Sequence, residues 1–214
     1  MAGSAAAVDD WLAALLIPEA ERLDAVLAAN AAAGLPGIDV SALQGRMLGL
    51  LVRISGARRV LEVGTLGGFS TICMARALPE GGRLVTVEVD PHHASVARAN
   101  IAAAGVAERV EVLVGAGLEV LPGLEGVFDL VFIDADKTNN EAYLAQALRL
   151  SRPGTVIVGD NVVRGGGVVE GADGGSAGAR RLLEAMAAEP RLEATVIQTV
   201  GAQGWDGFAL AVVR

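Results

Sequence analysis

Two segments of the chain run from apolar residues into oxygen-bearing side chains. Residues 128–137, FDLVFIDADK, deliver Asp134, and residues 156–161, VIVGDN, deliver Asp160 and Asn161. If both are buried strands lying side by side, two carboxylates and one amide oxygen converge, with no His or Cys among them. Such a donor set suits a hard cation such as Mg²⁺, which keeps open positions for water or substrate. The plainer alternative is that each residue is an ordinary turn former after a strand. Lys137 follows Asp134 by three residues. Beside a divalent cation it would feel like-charge repulsion, which suits it to act as a neutral general base; otherwise it is a solvated surface lysine.

A second constellation precedes these. Residues 60–71 read VLEVGTLGGFST, an apolar run that stops at glycines and passes at once into a helical pattern. A strand that turns into a helix in this way presents bare N–H groups to a polar or anionic ligand. The spacing is G-x-x-G-G rather than the G-x-G-x-x-G of a pyrophosphate site. Glu62 lies inside the strand, where a carboxylate is costly unless something pairs with it. Ser70, at the start of the helix, adds a donor suited to a carboxylate. Glu88 ends the next strand, twenty-four residues after Gly64, where an acid can accept hydrogen bonds from ribose hydroxyls; its alternative is a helix-capping role. Asp90, before Pro91, reads as a helix cap.

The elements that must position these groups alternate. Strands are expected at 59–63, 84–89, 110–114, 129–134 and 155–159. Helices are expected at 69–78, 92–104 and 141–150, with a short element at 118–121. Five such units make an open, mostly parallel sheet with helices on both faces, and ligands then bind at the carboxyl ends of its strands. Residues 165–178 hold seven glycines in fourteen positions and read as a mobile surface loop, suited to a lid, ahead of a helix at 179–188. Segments 193–200 and 207–213 close the chain as an antiparallel hairpin. Upstream, 9–33 is helical with an apolar face of Trp11, Leu12, Leu15 and Leu16, followed by a loop at 34–41 and a helix at 42–55. The whole reads as one domain, 1–214, with a helical segment 1–55 and an α/β core 56–214.

Composition narrows the function classes. The chain has 214 residues, a net charge of −8 and only 3% aromatic residues. The acidic balance offers no basic stripe for nucleic acid. Cys73 is the only cysteine, which leaves no intramolecular disulfide; it reads as a core residue rather than a catalytic thiol. The first ten residues lack the pattern of a secretory leader, and no apolar run is long enough to span a bilayer. A soluble, cytoplasmic protein that binds neither nucleic acid nor membrane is expected. His92 and His93 read as surface residues.

With these residues in view, the chain resembles the cation-dependent class I O-methyltransferases, the catechol and caffeoyl-CoA family, and most closely their small bacterial members. LEVGTLGGFST, VTVEVDP, FDLVFIDADK and VIVGDNVV carry the resemblance, which extends from about residue 34 to the end. It implies a Rossmann-like, seven-stranded methyltransferase sheet with a final antiparallel hairpin, S-adenosylmethionine as cofactor and Mg²⁺ as the cation. It places Glu62 and Ser70 at the methionine portion, with backbone of Gly64, Thr65 and Val40. It places Glu88 at the ribose, Ala116 and Gly117 on the adenine side, and Asp134 beside the cofactor. Asp134, Asp160 and Asn161 would be the metal ligands and Lys137 the base. The implied acceptor is a small catechol-like phenol, and the family habit is a homodimer. Departures concern the acceptor: Gly165 stands where plant enzymes carry an asparagine, Asp136 stands where animal catechol enzymes carry a tryptophan, and TNNEAY after Lys137 is longer than the plant spacing. Arg164, Arg180 and Arg181 are the candidates for a CoA ester. A dinucleotide-dependent dehydrogenase would explain the sheet and Glu88 but not the oxygens after strands four and five. A non-catalytic cofactor-binding protein would not need that set intact.

Overall fold

A computed structural model describes residues 4–214; residues 1–3, on which the leader reading partly rests, lie outside them. The N-terminal region forms α1 (Ala5–Leu16), a 3₁₀ turn, α2 (Asp24–Ala32) and α3 (Ala42–Ser55). Pro18 enforces the break after α1, because it fixes φ and removes a donor. Ser41 starts α3 with a capping box, its side chain accepting from Gln44 N while Gln44 reaches back to Ser41 N. Gly56, at φ 65°, ends it in the left-handed region.

The core then alternates: β1 (Arg59–Val63), α4 (Phe69–Ala77), β2 (Arg83–Glu88), α5 (Pro91–Ala103), β3 (Val110–Val114), α6 (Gly117–Val120), β4 (Leu130–Ile133), α7 (Asn140–Arg149), β5 (Val156–Asp160), α8 (Gly174–Ala188), β6 (Leu192–Gly201) and β7 (Gly204–Val213). The seven strands form one sheet in the order β3-β2-β1-β4-β5-β7-β6. β1 to β5 are parallel, and β7 runs antiparallel to both β5 and β6. This is the expected doubly wound sheet with its terminal hairpin.

Each strand alternates its side chains between the two faces. Val60, Leu84, Leu130, Phe132 and Val158 pack under α3, α4 and α5. Leu61, Val63, Val85, Val131, Ile133 and Ile157 pack against α7 and α8. The scarcity of aromatics is met by close backbone approach. A Cβ at Gly45 of α3 would lie 2.7 Å from the Cys73 sulfur of α4. Cys73 is half-buried, and burial pushes its thiol up to about 12, so at neutral pH it is no nucleophile.

The glycine-rich stretch differs from its expectation. Residues 164–169 form 3₁₀ turns, and α8 begins at Gly174, capped by Asp173, which accepts from Ser176 N at 2.8 Å. Gly178 is inside the helix, and a Cβ there would stand 1.9 Å from the Lys137 carbonyl oxygen. Gly178 thus serves close contact between α8 and the segment after β4, and the stretch from Gly174 on is helix in place of loop. β5 also runs one residue past its expected end, so that Asp160 is a strand residue facing Phe208 of β7.

Candidate active site

The strand order reverses at β1: the chain proceeds to β2 and β3 on one side and to β4 and β5 on the other. The carboxyl ends of β1 and β4 therefore border the crevice where open α/β sheets bind ligands. The two ends are locked together, with Asp134 N donating to Val63 O at 2.8 Å. Gly64 has φ 102°, and a Cβ there would fall 2.1 Å from the Asp134 carbonyl oxygen. No side chain fits.

Beneath this turn lies Glu62, with 0% exposure. Ser70 Oγ donates to its Oε1 at 2.5 Å, and Thr71 Oγ1 donates to its Oε2. Both donors sit in the first turn of α4, where negative charge also meets the positive end of the helix. Thr86, directly across on β2, borders the same carboxylate and is paired with Thr65 Oγ1 at 2.5 Å. Burial pushes the Glu62 carboxyl up to about 7, against these hydrogen bonds. Glu62 thus ties β1 to α4 and fixes the turn between them. The Ser70 hydroxyl proton is committed to that bond, so in this state it is not a free donor.

Glu88, also buried, holds the turn from the other side. Its Oε2 accepts from Thr65 N at 3.1 Å and Leu66 N at 2.7 Å, and its Oε1 accepts from Asp90 N at 3.0 Å. Leu66 has φ 49°, a conformation costly for a branched side chain, and the bond to Glu88 offsets that strain. His93 is not remote from the site: its Nδ1 lies 3.6 Å from Glu88 Oε1. Neither the three-fold use of Glu88 nor the nearness of His93 is legible in the sequence, because both depend on how α5 leaves β2.

At the ends of β4 and β5, Lys137 Nζ donates to Asp134 Oδ1 at 2.6 Å. Asp160 is buried, and its Oδ1 accepts from Asn161 N at 2.7 Å. Burial first, and then the charge of Asp134, hold the Asp160 carboxyl well above its ordinary value, while Lys137 opposes them. Asn161 turns the chain off the strand with φ 55°, which Asn tolerates better than most residues. Among the described residues no group of three His, Cys, Asp or Glu side chains is placed to hold a metal; the set here is two carboxylates and an amide. Two acids within range of each other's charge, one of them buried, call for added positive charge, and oxygen donors alone suit a hard cation. The residues present fit such an ion.

Of the remaining predicted positions, Ala116 and Gly117 follow the carboxyl end of β3. Ala116 caps α6, and Gly117 is buried where a Cβ would meet the Tyr143 ring at 2.8 Å. Val40 is buried just before the α3 cap. Asp136 is not part of the cation set: it accepts from Tyr143, Thr138 and Asn139. Arg180 and Arg181 are occupied locally, with Val169, Glu184 and Thr138. Asp206 of β7 gathers the chain beyond β5, accepting from Val163 N and Arg164 N at 3.0 and 2.9 Å.

An open sheet with this order, a glycine turn and acid-ended strands defines a class I methyltransferase-like fold. Residues 17–212 match the O-methyltransferase family, and the chain belongs to that family and is an enzyme of that class. It is 58% identical over 209 residues to a catechol O-methyltransferase of Mycobacterium tuberculosis, covering 97% of this chain and 95% of the relative. It is 46% identical to a catechol O-methyltransferase of Niastella koreensis, covering 97% and 96%. The crystal structure of a Bacillus cereus O-methyltransferase in complex with SAH superposes with a TM-score of 0.95 at 53% identity, covering 98% of each chain. The dehydrogenase and non-catalytic readings are set aside.

The buried Glu62 makes a pH prediction. Its folded carboxyl lies near 7 against an ordinary 4.5, so the folded state holds the proton more tightly than the unfolded one. The stabilisation is complete below the ordinary value and is lost as pH rises to about 7. The stability of the ligand-free protein should fall across that window by up to about 3 kcal/mol, seen as a falling melting temperature. Glu62→Gln should flatten the slope in a pH series of thermal melts, and an unchanged slope would contradict the assignment.

Proposed function

We propose that the chain transfers the methyl group of S-adenosylmethionine to one oxygen of a small vicinal diol, typically a catechol, with a divalent cation, Mg²⁺ by preference, held at Asp134, Asp160 and Asn161. The observation that carries this reading is the meeting of two half-sites at one crevice. The β1–β2 half offers the glycine turn and Glu88, and the β4–β5 half offers Asp134, Lys137, Asp160 and Asn161. The catechol O-methyltransferases of M. tuberculosis and N. koreensis, and the SAH complex of the B. cereus relative, support it.

Roles follow from position. Glu62 fixes the turn and with it the backbone of Gly64 and Thr65. Glu88 stands where a ribose can be met, and Ala116 and Gly117 border the adenine side. Val40 adds backbone near the methionine portion, together with Ser70. A bound cation would supply charge that makes a chelated hydroxyl easier to ionise. As a neutral amine Lys137 accepts the hydroxyl proton, and the ammonium so formed is held at the strand edge by its ion pair with Asp134. The chain's own contribution is orientation and charge placement.

A second copy of the chain is proposed to cover α1 and α3. Trp11 is 63% exposed and Ile54 79%, with Val8, Leu15, Leu16 and Leu50 also exposed. These residues neighbour a groove of about 730 Å³ whose lining includes Arg22, Arg46, Arg53 and Arg76. Among the described residues no helix is long and apolar enough to cross a membrane. Cytoplasmic residence is part of the proposal and rests on the acidic, disulfide-free composition.

Catechol methylation should stop with EDTA and return with Mg²⁺. The Asp160→Ala, Asn161→Ala double variant should lose at least about a hundredfold in rate; undiminished turnover would refute the cation site. Light scattering should give twice the chain mass for the wild type and the single-chain mass for a Trp11→Glu, Leu15→Glu variant. A monomeric wild type would refute the dimer.

A further inference from the structure

Two buried asparagines lie outside every motif of the site. Asn30 belongs to α2 and Asn100 to α5, seventy residues apart, and both are almost wholly buried. Asn100 Nδ2 donates to the Gly67 carbonyl at 2.8 Å and to Asn30 Oδ1 at 2.9 Å. Asn30 Nδ2 in turn donates to Asp39 Oδ1 at 2.9 Å. The polarity of this series is forced. A carbonyl oxygen only accepts, so the amide nitrogen of Asn100 must face Gly67. Its other hydrogen then requires an oxygen on Asn30, and this leaves the Asn30 nitrogen facing the Asp39 carboxylate.

Asn30 is also in direct contact with the glycine turn. A Cβ at Gly67 would stand 1.9 Å from Asn30 Oδ1, so that glycine exists to admit the asparagine. The turn takes left-handed backbone on both sides of Gly67, strained at Leu66 (φ 49°) and freely adopted at Gly68 (φ 86°). Glu88 holds its N–H groups, at Thr65 and Leu66. On its carbonyl side Thr65 O and Gly68 O accept locally, from Gly68 N and Ile72 N, while Gly67 O is held from another helix, by Asn100. At the far end, Asp39 adjoins Val40, and the Asp39 carbonyl accepts from Gln203 Nε2 of the β6–β7 turn at 2.5 Å.

We propose that Asn30, Asn100 and Asp39 are positioning residues that set the cofactor-binding conformation of the glycine turn and join it to the 34–41 loop carrying Val40. The inference rests on the reading that this turn holds S-adenosylmethionine. The relay acts before the chemical step, so it governs cofactor affinity and leaves the transfer itself alone. A charged acceptor at one end and a buried carbonyl at the other make each link sensitive to a change of hydrogen-bond polarity.

The test is a polarity swap. Asn30→Asp removes the donor and sets two carboxylates against each other. It should weaken SAH binding in calorimetry about tenfold, the weight of one charge-assisted hydrogen bond. The KM for S-adenosylmethionine should rise alike, while kcat at saturating cofactor stays within about twofold. The double swap Asn30→Asp, Asp39→Asn returns a donor: the amide at position 39 serves the carboxylate at position 30, which still accepts from Asn100. It should recover the affinity. If Asn30→Asp alone does not fold, the double swap decides, with wild-type affinity expected and weakened affinity overturning the relay. Affinity lost in Asn30→Asp and not recovered in the swap overturns it too. Glu88→Gln serves as reference in the same titrations. Binding weakened there but unchanged in Asn30→Asp overturns the relay alone. Binding unchanged in both overturns the cofactor site and the relay with it.

Discussion

A carboxylate enclosed in the central strand sets the terms for the rest of this molecule. Glu62 has no exposed surface, and a buried carboxylate is tolerated only when hydrogen bonds replace water. Ser70 and Thr71 supply them from the first turn of α4, so the strand and the helix can meet in only one way. That fixes the turn between them. Everything proposed for the cofactor hangs on the backbone of this turn, which Glu88 holds from β2 and Asn100 from α5. Burial raises the titration of the same carboxylate, so the ligand-free fold should lose some stability near neutrality while the turn stays in place, a trade common at binding sites.

The second constraint is closeness. With few aromatics, the layers approach through glycine. Gly64 brings β1 against the Asp134 carbonyl, Gly117 admits the Tyr143 ring, and Gly178 seats α8 on the Lys137 carbonyl. Each of these contacts fixes backbone that carries a proposed site residue. The proposed cofactor half and the proposed cation half thus share one edge, and the proposed transfer draws mainly on that alignment.

Much of this was legible in the sequence, because apolar runs ending in acids mark parallel strands and their functional ends. The alternation of strand and helix, the terminal hairpin and the strand-end placement of Glu88, Asp134 and Asn161 follow from local pattern. What stayed hidden depends on long-range contact. Residues 174–178 read as loop because glycine signals freedom and close packing alike, and at Gly178 only the Lys137 carbonyl distinguishes them. Asp160 lay beyond the expected end of β5, since its pairing partner Phe208 is forty-eight residues away. Thr86, His93, Asn30 and Asn100 are ordinary residues in ordinary helices or strands. Their roles arise only when β2, α2 and α5 converge on the glycine turn.

In the proposed reaction one crevice brings a sulfonium methyl to an oxygen of a chelated vicinal diol. The decisive measurement is mass spectrometry of products from isotopically labelled S-adenosylmethionine, with catechol and phenol as paired acceptors in the presence of Mg²⁺. A single labelled monomethyl ether is expected from catechol and no product from phenol, which cannot chelate. Equal methylation of the two acceptors, or no labelled ether from either catechol or larger catechol-bearing phenols, would contradict it.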